Sequence, residues 1–293
     1  LRSIVLRGNI RNSEEKSSPN PAASALELIP NNNESEAKPV CFEIEFYEED
    51  GEEHKFKIHY ELQIDLGTFL EEEYQRKILA EVLEVNGERV FERREGLKVE
   101  NLKVIKDYLS DITEQNAESI NEIAKNSLNQ EELFLTNGFK LIFSPKFTKL
   151  IVDWFANKFM VIYRADSMQL IKRFADPKKK AVYVEKTTDE AAKLFGINSN
   201  AVGYVVSDDE PDAKLYSVFK NMKDQKTTAV AADIFESYGT IRFINMFPLV
   251  IKAMQTGGTL VVDEFDASIH PMALMSIINV FHNDDVNIHH AQL

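Results

Sequence analysis

Residues 257–266 read GGTLVVDEFD, in which four apolar or β-branched side chains are followed directly by two carboxylates. An unbroken run of this kind is typical of a short strand that is buried on both faces of a parallel sheet. Ligands of such sheets gather at the carboxyl ends of the strands. The pattern therefore predicts that Asp263 and Glu264 lie at a ligand-binding edge of a sheet.

Two adjacent carboxylates at the end of a strand suit the chemistry of phosphoryl transfer. One carboxylate can hold Mg²⁺, usually through water, and the other can act as the base or positioning group for an attacking water. Asp263 suits the first role and Glu264 suits the second. The plain alternative is that both acids only solvate a loop.

The flanking segments favour the first interpretation. Upstream, Glu236-Ser237-Tyr238-Gly239-Thr240 opens a long apolar helix, which is predicted from Ile241 to Met254. Downstream, residues 267–271 lead into a second predicted helix, from Met272 to Phe281. Pro248 lies inside the first helix and is expected to bend or break it.

In this order and spacing, the segments resemble the motifs of bacterial AAA-family ATP-binding proteins of the ABC, SMC and OLD-like group. Ser237-x-Gly239-Thr240 is similar to the signature, residues 259–264 to the Walker B strand, and residues 265–271 to the D-loop. The resemblance is specific over residues 229–293 and weak before them. Many members of this group are encoded in phage-defence or abortive-infection loci.

The resemblance implies an α/β fold with α+β insertions, that is, an ABC-type P-loop NTPase core with an antiparallel β-meander and a helical insertion lobe. It also implies ATP and Mg²⁺ as cofactors, with Glu264 as the catalytic residue and Asp263 holding the metal through water. The expected homodimer forms through the nucleotide sites, where the signature helix of one protomer meets the γ-phosphate of the other. Nucleotide contacts are implied for Ser237, Gly239, Thr240, Asp266, Ser268 and His270.

Two of these assignments have plain alternatives. A hydroxyl, a glycine and a helix N-terminus suit a phosphate, yet Ser237 to Thr240 is equally a helix N-cap sequence, with Thr240 as a candidate cap. His270 stands where SMC proteins often have Asp, and it could instead serve helix entry before Pro271. Gly257-Gly258 precedes the predicted strand and is interpreted as a turn only.

Composition limits the classes of function. The chain has 293 residues, 44% hydrophobic content and a formal net charge of −14. This acidic charge disfavours a surface that mainly contacts the phosphates of a nucleic acid. Nucleic-acid binding is left open, because Lys178-Lys179-Lys180 is a local basic patch or, more simply, a solvated loop. The single cysteine, Cys41, cannot form an internal disulfide and is predicted to be buried in a strand. Nothing resembles a signal peptide or a membrane span, so the cytoplasm is predicted.

Changes in pattern divide the chain into four predicted segments. They are a helix end with a flexible polar loop (1–39), an antiparallel β-meander (40–96), a mainly helical insertion lobe (97–225) and the ATPase core (226–293). Alternating apolar residues predict one hairpin over residues 40–62 and a second around Asn86-Gly87. A further hairpin is predicted over residues 202–219.

The chain contains no Gly-x-x-x-x-Gly-Lys-[Ser/Thr] phosphate loop. The resemblance implies that this loop precedes Leu1 and that a switch histidine follows Leu293, so that the chain is an internal fragment without efficient hydrolysis of its own. Residues 289–293 are interpreted as the start of another core strand.

The leading hypothesis is an ATPase whose ATP-driven dimer controls a partner nuclease or toxin in bacterial anti-phage defence. One alternative is a nucleotide-sensing scaffold with little turnover. Another is a DNA-repair ATPase of the SMC type, which the acidic charge and the absence of a long heptad run disfavour.

Overall fold

The computed structural model describes residues 1–10, 38–50, 54–66, 76–109, 122, 124, 128–162, 181–183, 201–207, 210–220, 226–266 and 269–293. The chain forms two compact units, Leu1–Ala156 and Asn157–Leu293. In the described part of the chain, no helix combines the length and apolarity that crossing a bilayer requires. The predicted polar loop and the Lys178-Lys180 patch fall outside the described residues, apart from the ends of the loop.

The first unit is built on a five-stranded antiparallel meander in which the strands follow sequence order. Val40 pairs with Ile64 and Phe46 with Ile58, which confirms the first predicted hairpin. The second hairpin is confirmed by the pairing of Val85 with Glu88. The strands are β1 (Val40–Glu49), β2 (Lys55–Asp65), β3 (Lys77–Val85), β4 (Glu88–Arg93) and β5 (Leu97–Val99).

The helices of the described part of the first unit include α1 (Arg2–Arg7), a 3₁₀ helix (Leu102–Tyr108), a π-helical turn (Leu135–Phe139) with a short continuation, and α2 (Pro145–Asn157). One face of α2 is apolar, and Phe147, Ile151, Trp154 and Phe155 on it are all buried. Phe46 of β1 stacks on Trp154 with ring centroids 3.8 Å apart, so the helix covers the apolar face of the meander.

Cys41 lies on the opposite face of β1 and is exposed, so the predicted burial of this thiol is wrong. The period-2 alternation of a strand explains the difference, because the neighbours Val40 and Phe42 point towards the packed face.

A buried carboxylate joins the meander to the helical segment that follows. Glu81 of β3 is 0% exposed and accepts hydrogen bonds from the backbone N–H groups of Phe134 (2.6 Å) and Leu135 (2.9 Å). The Tyr60 hydroxyl donates to it at 3.0 Å, and Arg93 Nη1 lies 3.9 Å away. Burial raises the pKa of Glu81, although the two amides and Arg93 act in the opposite direction. The group is therefore stabilised by four partners contributed by distant parts of the chain.

The described strands of the second unit are β6 (Phe159–Ile162), β7 (Ala181–Tyr183), β8 (Ala201–Ser207), β9 (Glu210–Lys220), β10 (Thr227–Ala231) and β11 (Thr259–Val262). They form a four-stranded antiparallel sheet, in the order β10-β9-β8-β7, and a parallel pair, β11-β6. Val202 pairs with Ser217, which confirms the hairpin predicted over residues 202–219.

The helical character predicted for residues 97–225 is found in the described part up to Asn157. The described residues between 159 and 220 are strands instead, rich in valine and tyrosine, which favour extended backbone. The four predicted segment boundaries themselves remain predictions.

The described residues of the second unit also form three helices, α3 (Ala232–Phe235), α4 (Tyr238–Thr256) and α5 (Pro271–His282). The two predicted helices around the acidic stretch are thus confirmed with slightly wider bounds. Pro248 lies inside α4, yet the helix continues through it, so the predicted break is not observed. Several apolar residues of α4, with Leu249, Val250 and Ala253 among them, are buried in one core cluster with Leu260 of β11 and Ala273 and Ile277 of α5.

The turn between α4 and β11 needs its glycines, as the sequence predicts. Gly257 adopts a left-handed φ of 62° and closes the helix by donating its N–H to Ala253 O. A Cβ at this position would lie 2.4 Å from the backbone oxygen of His289. A Cβ added at Gly258 would likewise lie 2.6 Å from the backbone oxygen of Lys158. The close approach fixes where β11 enters the sheet.

Gly257→Ala is therefore expected to lower the free energy of unfolding by about 2–4 kcal/mol, since it combines left-handed strain with a backbone clash. Gly87→Ala is the matched control, because Gly87 has a φ of 81° but no atom within 4 Å of an added Cβ. Its expected cost is about 1–2 kcal/mol, from backbone strain alone. Urea unfolding of both variants measures the difference, and equal losses would contradict the clash.

Candidate functional site

The acidic stretch begins on a strand with parallel neighbours on both sides. β11 pairs with β6 in parallel, with Thr259 opposite Phe159 and Val262 opposite Ile162. On its other edge Thr259 forms a parallel bridge with Gln292, whose carbonyl accepts the Leu260 N–H at 2.8 Å. The predicted inner parallel strand is confirmed. The core strand predicted to start at residues 289–293 is present only as a single bridge at Gln292.

Burial on both faces of this strand, however, is not observed. Leu260 is fully buried against α4 and α5. In contrast, Val261 is 44% exposed, and its partner in β6, Val161, is 41% exposed. The prediction is wrong because an unbroken apolar run does not show how many faces the rest of the chain covers.

Asp263 and Glu264 follow at the carboxyl end of β11. The Asp263 N–H still donates to Ile162 O at 2.8 Å, so the ladder extends one residue past the strand. Asp263 Oδ1 accepts the N–H of Glu264 at 2.9 Å, and both side chains are exposed. Glu264 has a left-handed φ of 48°, which is uncommon for a residue with a side chain. The turn thus presents two carboxylates to solvent at the strand end.

The N-terminus of α4 shows the plain alternative that the sequence left open. Ser237 is the N-cap, since its Oγ accepts the N–H of Thr240 at 3.1 Å and lies 2.9 Å from Thr240 Oγ1. The assignment of the cap to Thr240 is therefore wrong. Ser237 is exposed, and Gly239 and Thr240 are half-buried in the first turn.

Arg242 connects this helix start with the acidic pair. It is 4% exposed, and its Nη2 donates to the backbone oxygens of Asp263 at 3.2 Å and of Glu264 at 2.5 Å. The structure therefore brings the start of α4 to the carboxyl end of β11. Sequence reasoning missed Arg242. The available signal was a charged side chain beside Phe243 and Ile244, on a helix face that is otherwise apolar.

The remaining predicted contacts lie on the segment between β11 and α5. Asp266 is exposed in the turn that follows Glu264. Ser268 lies outside the described residues. His270 is the N-cap of α5, with Nδ1 accepting the Met272 N–H at 3.2 Å and Pro271 in the first turn. The helix-entry role of His270 is thus present in the structure.

An apolar groove of about 740 Å³ lies beside the acidic turn, between β11, the inner side of α5 and the C-terminal residues. Val262, Phe265 and Phe281 contribute to its wall, but Asp263 and Glu264 do not. In the part of the chain that the structure describes, no three His, Cys, Asp or Glu side chains are placed to hold a metal. Mg²⁺ commonly uses only one or two carboxylates together with water and substrate phosphates, so the exposed acidic pair fits this ion.

Comparison with known families matches residues 32–293, nearly the whole chain, to the family described as "AAA domain, putative AbiEii toxin, Type IV TA system". No curated protein and no solved structure matches the chain significantly. AAA domains have the α/β fold of P-loop NTPases, in agreement with the parallel strands and the acidic strand end described above. The chain therefore belongs to the AAA-domain family that is associated with the putative AbiEii toxin of type IV TA systems.

Proposed function

We propose that this protein is a Mg²⁺-dependent ATPase of the ABC type that dimerises around ATP and controls a partner nuclease or toxin in bacterial anti-phage defence. The observation that carries the proposal is the acidic pair at the end of a parallel strand, within a chain of the AAA-domain family. The family description also supports the defence context, because it names a toxin and a TA system. A cytoplasmic location agrees with this role.

Asp263 is the proposed Mg²⁺ residue, acting through water. Its Oδ1 accepts the Glu264 N–H, which fixes the orientation of the carboxylate at the strand end. When bound, the metal would neutralise charge on the β- and γ-phosphates of ATP. The strand end would hold the Asp263 carboxylate at a fixed distance from the bound metal.

Glu264 is the proposed base or positioning group for the attacking water. Its carboxylate is exposed and has no hydrogen-bond partner among the described residues. An acceptor with free lone pairs can take a proton or orient a water molecule, which is what hydrolysis of the γ-phosphate requires.

The start of α4 is the proposed contact with the nucleotide of a second protomer. The first backbone N–H groups of a 19-residue helix have no intrahelical acceptor, and the helix dipole favours an anion there. Ser237, Gly239 and Thr240 occupy this turn. Asp266, Ser268 and His270 are proposed to contact the same interface, in which His270 combines its capping role with an exposed ring.

Asp263→Ala in the full-length protein is expected to weaken Mg-ATP binding by about tenfold or more, because it removes the carboxylate that holds the hydrated metal. Isothermal titration with ATP, with and without Mg²⁺, measures the effect, and metal-free ATP binding should change little. Asp284→Ala is the control, since Asp284 is an exposed acid beyond α5. Equal affinities of wild type and Asp263→Ala for Mg-ATP would disprove the metal assignment.

Steady-state phosphate release by the full-length protein, with and without DNA, tests the proposed activity itself. ATP binding without release would favour the scaffold alternative. Strong stimulation together with tight DNA binding would favour the DNA-repair alternative.

A further inference from the structure

The buried guanidinium of Arg242 contacts the two backbone carbonyls that flank Glu264. The carbonyl of Asp263 belongs to the peptide group before the Glu264 α-carbon, and the carbonyl of Glu264 belongs to the peptide group after it. One nitrogen, Nη2, donates to both oxygens, at 3.2 and 2.5 Å. Fixing both peptide groups fixes the φ and ψ of the residue between them.

This restraint acts where the backbone is strained. Glu264 has a φ of 48°, in the left-handed region that residues with a Cβ rarely adopt. Strained conformations persist only when their surroundings hold them. The carboxylate is exposed and has no hydrogen-bond partner of its own among the described residues, so the restraint on its direction comes from the backbone.

We infer that Arg242 is a positioning residue, which sets the direction of the Glu264 carboxylate by clamping its backbone from the start of α4. The inference rests on the proposed function for its consequence in turnover, although the clamp itself is independent of any activity. Arg242 lies five residues after Ser237, about 7.5 Å along the helix axis. A ligand or protomer that shifts the start of α4 therefore also shifts the group that holds Glu264.

The chemistry of arginine suits this role and that of lysine does not. A guanidinium is planar and always charged, and its Nη2 carries two protons, so that each carbonyl can receive one. A lysine ammonium could reach one carbonyl but lacks the rigid fork, and a glutamine amide is shorter and uncharged. The two substitutions therefore weaken the clamp to different degrees.

The test uses Arg242→Lys and Arg242→Gln in the full-length protein, with two measurements. Hydrogen exchange of the peptide covering residues 259–266 reports the clamp, and it should rise in both variants, more in Arg242→Gln. Steady-state kinetics should show kcat reduced about tenfold in Arg242→Gln and less in Arg242→Lys, because misplacing a reacting group lowers the rate. The KM for ATP should change less than twofold, since neither variant removes a nucleotide contact.

Arg93→Lys is the matched control. Arg93 is equally buried (5% exposed) and its guanidinium also donates to two backbone carbonyls, those of Asn129 and Glu132, in the first unit. This variant should lose thermal stability while keeping its kcat per folded molecule and the exchange of residues 259–266.

Unchanged exchange of residues 259–266 in both Arg242 variants overturns the inference, as does a kcat loss in Arg93→Lys equal to that in Arg242→Gln. If Arg242→Gln fails to fold, the exchange and kinetic measurements are made on Arg242→Lys alone. A wild-type protein that releases no phosphate would refute the proposed ATPase activity, and the exchange data alone would then decide whether Arg242 holds the turn.

Discussion

Glu264→Gln in the full-length protein is expected to lower the rate of phosphate release about 10³-fold, within the range that general acid–base groups contribute. Glutamine keeps the size and the hydrogen-bonding oxygen of the side chain but cannot take a proton from water. Among the described residues, the exposed Glu264 side chain has no hydrogen bond that the substitution would break, so the fold should be unaffected.

ATP binding should survive this substitution, because Asp263 and the backbone of the turn remain in place. Bound but unhydrolysed ATP should then accumulate, and the proposed dimer with it. Single-turnover kinetics measures the chemical step, and size-exclusion chromatography with light scattering, run with ATP, measures the dimer.

Glu88→Gln provides the control, because it makes the same charge change on an exposed residue at the start of β4. It should leave both measurements at the wild-type level. Wild-type turnover by Glu264→Gln would show that another group activates the water, and a monomer that retains ATP would remove the support for a dimer switch.

Local patterns in the sequence were sufficient to predict the elements around the acidic pair. The four apolar residues before Asp263 indicate a strand, and the glycines at 257 and 258 mark the turn that precedes it. The N-cap sequence suggested for α4 is present, with Ser237 rather than Thr240 as the cap, and His270 occupies the helix-entry position suggested for α5. Such features depend on neighbours within a few residues, so a single sequence contains them.

Contacts between distant residues were not predictable in this way. Arg242 contacts the acidic turn 21 and 22 residues away. Its position on an apolar helix face is a local signal of burial, but nothing local shows which carbonyls it contacts. The exposure of Val261 depends likewise on which parts of the chain cover each face of the sheet. Glu81 is a third case, because its hydrogen-bond partners Tyr60, Phe134 and Leu135 lie 21 to 54 residues away.

Glu81→Leu is expected to lower the free energy of unfolding by about 3–5 kcal/mol, the usual result of removing one partner from a buried ion pair. Leucine nearly matches the volume but accepts no hydrogen bond. The Phe134 and Leu135 N–H groups would then be buried without acceptors, and Arg93 would lose its carboxylate at 3.9 Å. Unsatisfied buried donors cost about 1–3 kcal/mol each, so the ion pair is only part of the effect.

Glu84→Leu makes the same change three residues along β3 and isolates the effect of burial. Glu84 keeps 24% of its side chain exposed and pairs with Arg89 at 3.0 Å on the surface. Surface pairs of this kind contribute about 0–1 kcal/mol, so the control should unfold close to the wild-type urea midpoint. If the two variants lost the same stability, the Glu81 network would be no more than a surface-like pair. A loss confined to Glu81→Leu would show that this carboxylate joins the meander to the helical segment beginning at Phe134.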